Sequence, residues 1–156
     1  MNTVAFSTFC YNLTKTINNF LEPFDCEAMM GTDFEYLLDS NIIVYSLITP
    51  KSSDDSFSAF AKKEFPNIEA DTFLWSFLHE LGHRETEDEF EDEEWQEYMK
   101  TINSWHGTDD EYYHLPIEYA ATAWAADFMQ THTEEVETFW NQVQSLILDF
   151  YEKELT

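Results

Sequence analysis

Ile68-Glu69-Ala70-Asp71-Thr72-Phe73-Leu74-Trp75-Ser76-Phe77-Leu78-His79-Glu80-Leu81-Gly82-His83 is the stretch on which the architecture turns. Ala70, Leu74, Phe77, Leu78 and Leu81 recur at three- and four-residue steps, which puts them on one side of a helix that Asn67 can cap. His79 and His83, four apart, become helical neighbours about 5–6 Å apart at Cβ and aim at one point. Neutral imidazole nitrogens in that arrangement suit Zn²⁺, and Glu80, one helical step from His79, stands beside such an ion as a general base for water. In a Glu-rich chain with 5 His among 156 residues the string arises by chance about 2% of the time, so its place on an amphipathic helix points to chemistry.

A catalytic zinc site takes a third protein ligand and keeps one position open. The metzincin extension is excluded, because Thr86 stands where that pattern has Gly and Glu89 where it has His. Glu118 follows 35 residues after His83, at about the third position of a helix opened by Pro116, where the positive helix end favours an ionised carboxylate. Asp110 is the alternative, since Gly107-Thr108-Asp109-Asp110-Glu111-Tyr112-Tyr113 follows most of the aspzincin string, with His114 where its last Gly belongs. Geometry and charge favour Glu118 over Asp110, with His106 and His114 behind both. Tyr112, Tyr113 and His114 precede the Glu118 helix closely enough to be candidate oxyanion donors, although packing or a surface position accounts for each more simply.

Away from the motif, Phe6, Phe9, Cys10, Leu13, Ile17, Phe20 and Leu21 form the stripe of a first helix that Pro23 stops. Phe34–Leu38 and Ile42–Ile48, joined by Asp39-Ser40-Asn41, read as a β-hairpin and as the one small sheet. Lys51–Asp55 reads as a polar loop, followed by a short helix with Phe57, Phe60, Ala61 and Phe65 that ends at Pro66. From Glu85 to Glu97 nine of thirteen residues are acidic, a block that reads as a solvated face leading into a helix with Trp95, Tyr98, Met99, Ile102 and Trp105, terminated by Gly107. A loop from Gly107 to His114 precedes the helix of Pro116 to Met129, and Thr131 or Thr133 caps a last helix with the stripe Val136, Phe139, Trp140, Val143, Leu146, Ile147 and Phe150. His132, at the junction, is expected in solvent.

The 156 residues are expected to form one domain, residues 1–156, of α+β class, mostly helical with a small β-hairpin or sheet. With 44% hydrophobic and 17% aromatic residues the chain can bury a ring-rich core. A formal charge of -25 repels phosphate, which argues against direct contact with nucleic acid or an anionic membrane and favours a basic protein partner. Cys10 and Cys26 lack the spacing of a zinc ribbon or redox pair and read as buried thiols. Neither a signal peptide nor a membrane span is recognised, so a cytoplasmic protein is expected.

With its His-Glu-x-x-His helix and the later Glu118-Tyr119-Ala120-Ala121, continued by Thr122-Ala123-Trp124-Ala125-Ala126-Asp127-Phe128-Met129, the chain resembles the ImmA/IrrE-type metallopeptidases over roughly Ile68 to Met129. It departs from them at position 122, Thr where Asn or Asp is common, and in the acidic block. The resemblance implies a compact zincin-like fold, His79, His83 and Glu118 as metal ligands, and Glu80 as base. It also implies proteolysis of a transcriptional repressor, often one encoded on a phage or mobile element. A repressor's DNA-binding face is basic, so a strongly negative enzyme attracts the surface that DNA attracts. The alternative is an acidic binding protein on the same scaffold, occupying that face as a decoy for phosphate without cutting it.

Overall fold

The computed structural model describes residues 3–47 and 53–155, with side chains excepted at 53–55, 154 and 155. The fold is α+β with helices predominating, and its contacts gather into two compact units. One unit comes from the two ends of the chain, up to Ser46 and from His132 onward; the other runs from Leu47 to Thr131.

In the first unit, α1 (Thr3–Leu21) buries Phe9, Leu13, Ile17 and Leu21 of the expected stripe, with Cys10 and Phe20 half-buried and Phe6, near the helix start, exposed. It ends in a 3-10 turn holding Pro23, whose ring cannot continue the helix. Against α1 lies α7 (Thr133–Leu155), which buries Val136, Phe139 and Val143, with Phe9 stacked on Phe150 at 4.5 Å and Phe20 on Phe139 at 4.2 Å. Thr133 is the first residue of α7, and the Thr131 hydroxyl donates to the Asp127 carbonyl. His132 is exposed, as expected.

The hairpin is present as β2 (Glu35–Leu37), one residue shorter than expected at each end, antiparallel to β3 (Ile42–Tyr45), which starts as expected and ends early; Ile48 lies outside the described residues. Its turn puts Asp39 and Asn41 at φ 62° and 58°, the left-handed region that Asp and Asn tolerate. The sheet has a third strand, β1 (Glu27–Met30), parallel to β3 on the side away from β2. Glu27-Ala28-Met29-Met30 carries no β-branched residue, so nothing local marks it as a strand. Its place follows from pairing with β3 and from the Ala28 N–H, which donates to Asn18 on α1 at 2.6 Å. Cys26 is buried and Cys10 half-buried, both free thiols.

The second unit is helical. Here α2 (Ser53–Glu64) takes in Ser53, Asp54 and Asp55, which correct the expected loop; Lys51 and Ser52 lie outside the described residues. The motif helix, α3 (Thr72–Thr86), is capped by Asp71, not Asn67: the Asp71 carboxylate accepts from Phe73 N–H at 2.9 Å. The acidic block passes through a 3-10 turn into α4 (Asp92–Asn103), which has no fully buried residue and ends four residues short of Gly107. Gly107 serves a neighbour instead, since a Cβ there would stand 2.6 Å from the Trp105 ring. The expected loop before Pro116 contains a short helix, α5 (Asp109–Tyr113), opened by a capping box of Thr108 and Glu111. Finally α6 (Pro116–Thr131) starts at its proline and buries Ile117, Ala121, Ala125, Ala126, Phe128 and Met129.

Candidate metal centre

The two histidines face α6 because α3 and α6 approach closely at Gly82. A Cβ on Gly82 would lie 2.3 Å from the Ala121 carbonyl oxygen, so glycine at the fourth place of the motif is what lets the α6 backbone come this near. With the helices this near, Glu118 Oε1 stands 3.0 Å from His79 Nε2 and 3.2 Å from His83 Nε2. The side chains of His79 and Glu118 are 5% and 4% exposed and that of His83 12%, so the group is largely buried, with His83 the most accessible of the three. Ligand atoms of His79, His83 and Glu118 lie within 4.8 Å of one another, a group that can hold a metal ion.

The other candidates stay outside it. Asp110, on α5, is exposed and faces Lys63 Nζ at 3.9 Å and His114 Nδ1 at 3.5 Å. His114 bonds Glu64 at 2.9 Å and the Asp110 carbonyl at 2.8 Å, and His106 is exposed. Among the described residues no fourth His, Cys, Asp or Glu joins the three. Glu80 is half-buried beside them, and its negative charge acts on both His83 and Tyr112.

No protein-family model matches the chain, and no curated protein or solved structure is significantly similar to it. The chemistry of the centre therefore rests on its own hydrogen bonds, and these suit a cation. The buried Thr122 hydroxyl donates to the Glu118 carbonyl at 3.2 Å, which spends its only proton. A hydroxyl so spent accepts from His79 Nδ1–H, 2.9 Å away, so that His79 Nε2, 3.0 Å from a carboxylate oxygen, either carries a proton or faces that oxygen with a lone pair. Two lone pairs at that distance repel unless a proton or a metal ion stands between them.

On the far side of Glu118, the Tyr98 hydroxyl on α4 donates to Oε2 and stands 3.4 Å from the Tyr112 hydroxyl. Glu118 thus has one oxygen turned to the histidines and the other held by a phenol. Burial works against its ionisation, but the His83 charge and the hydrogen bonds from both histidines outweigh this and hold its carboxyl well below the usual range. Burial first, and then the Glu118 charge, raise Tyr98 strongly and push Tyr112 up to about 12, so both phenols keep their protons. On the His79 side, Phe57 of α2 lies 4.7 Å from its ring and 5.0 Å from Tyr113, closing the centre with aromatic surface.

Tyr98 is the residue that sequence reading missed. Its spacing with Trp95 and Ile102 marks only a packed stripe, and nothing local separates a phenol that fills space from one that meets a carboxylate 20 residues away. Thr122 stood out as a departure in the Ala-rich helix, but its bond to His79 depends on the α3–α6 approach.

Proposed function

We propose that the chain is a zinc-dependent endopeptidase, zincin-like and of the ImmA/IrrE type, that cleaves a basic protein such as a DNA-binding repressor of a phage or mobile element. The observation that carries this reading is the convergence of two imidazole nitrogens and one carboxylate oxygen from α3 and α6, with Glu80 next to the first ligand. A set of two His and one Glu suits zinc and keeps a coordination position for solvent or substrate. When bound, the metal supplies Lewis acidity and water acidified to near neutral pH. The chain's own residues supply the rest: Glu80 takes a proton from the attacking water and passes it to the leaving amine. Tyr112, protonated and close to Tyr98, is suited to donate to the developing oxyanion.

Metal analysis of purified protein, with His79→Ala as control, tests the first half; zinc near one equivalent in the parent and none in the variant is expected. Glu80→Gln tests the second, with zinc retained and cleavage of a basic protein substrate lowered about 10²- to 10⁴-fold. The charge of -25 favours a second reading, a non-catalytic decoy for a DNA-binding face. A biological effect unchanged in zinc-loaded Glu80→Gln would establish that reading instead.

A further inference from the structure

Next to the ligand group, α4 and the first turn of α6 border a cavity of about 360 Å³. Its apolar lining comes from Phe90, Leu115 and Ile117, while Glu93, Glu94 and Glu97 line it from α4. Tyr98 forms part of the wall as well, and its hydroxyl donates to Glu118, so the cavity adjoins the metal centre through one side chain. The volume falls in the range of pockets that take small ligands, about 300–1,000 Å³.

All three carboxylates are exposed; Glu94 accepts from the Glu91 N–H in the α4 capping box, while Glu93 and Glu97 have no ion-pair partner among the described residues. An acidic occupant would be repelled, and a purely apolar one would cover carboxylates without answering their charge. A long basic side chain meets both demands, with methylenes against Phe90, Leu115 and Ile117 and a cationic head at Glu93 and Glu97. We infer that this cavity is a subsite for a lysine or arginine side chain of a polypeptide substrate, close to the bond presented to the metal centre. The inference rests on the peptidase reading and gives its substrate a chemical character: a basic residue at a fixed place beside the scissile bond.

The test uses the full chain as zinc-loaded Glu80→Gln, so that a bound peptide is not cut, titrated with acetyl-Ala-Arg-Ala-amide and with its citrulline counterpart while backbone amides are followed by NMR. The arginine peptide is expected to bind at least about tenfold more tightly, with a preference that shrinks at high salt and vanishes in Glu93→Gln/Glu97→Gln. Shifts are expected at Phe90, from Glu93 to Thr101 and at Leu115 and Ile117. Both substituted glutamates are exposed, so the double variant is expected to keep its circular dichroism. Equal binding of the two peptides, shifts confined elsewhere, or no binding of either overturns the subsite. The peptidase reading fails on a different result: wild-type protein that binds zinc but hydrolyses no basic protein, whatever the peptides do. Conversely, cleavage without a basic preference keeps the peptidase and removes the subsite.

Discussion

Thr122 and Tyr98 hold the ligand group from opposite sides, one through the Nδ1 of His79 and the other through the second oxygen of Glu118. For a metal ion held by His79, His83 and Glu118 each would orient one ligand, and loss of such a partner weakens metal binding about 10- to 100-fold. Thr122→Val, which keeps the shape but removes the acceptor, and Tyr98→Phe are each expected to raise the zinc Kd by that factor in a competition assay with a chelating dye. Unchanged affinity in both would show that the α3–α6 packing alone orients the ligands. The pH dependence belongs to His83. Burial opposes its charge, but the Glu118 charge and hydrogen bond, with a contribution from Glu80, outweigh it and raise the metal-free pKa from 6.5 to about 9. A raised pKa means the proton favours the folded state, so this stabilisation of the metal-free protein is full below about pH 6.5 and is lost as pH rises through about 9. Zinc needs the neutral imidazole. Its uptake is therefore expected to release a proton below about pH 9, and its apparent affinity to climb toward that pH and then level off. Calorimetric titrations in two buffers of different ionisation enthalpy measure the released proton directly; Glu118, already ionised, adds none.

Between α3 and α6 the decisive feature is a missing side chain. Gly82 lies buried against the Ala121 backbone, and Gly82→Ala puts a carbon where the carbonyl oxygen already stands. Alanine is the better helix former by about 1 kcal/mol, but forcing two packed helices apart costs about 1–3 kcal/mol, so a net loss of stability is expected. Separation would also pull Glu118 from the histidines. The variant is thus expected to melt earlier and to bind zinc more weakly, whereas an unaltered melting temperature would mean that the helices part at little cost. How far each element could be read in advance follows from the range of the forces that form it. The stripes of α1 and α7, the proline at the start of α6 and the hairpin turn are local, and they stand where periodicity and turn chemistry put them. The cap of α3, the end of α4 and the existence of α5 were misread because several residues compete to cap a polar segment, and side-chain geometry selects among them.

For the molecule as a whole, a metal ion taken up by the buried group of His79, His83 and Glu118 would link folding to metal binding. Zinc in hundredfold excess over its Kd is expected to add about 2.7 kcal/mol of stability, seen as a rise in melting temperature that is absent in His79→Ala. No rise in the parent protein would mean the site is not formed in solution. No described helix is long and apolar enough to cross a membrane. The amino-acid order alone determined the amphipathic helices, the pairing of His79 with His83 on one face, the placing of Glu118 near a helix start and the large negative charge. Each of these follows from spacing along the chain or from simple composition. Only the tertiary structure decided that Glu118 and not Asp110 completes the ligand group, that Thr122 and Tyr98 hold it, and that Glu27–Met30 adds a parallel strand. Those are contacts between residues 15 to 43 positions apart. Such contacts have no period in the sequence, because they depend on how closely two packed elements approach.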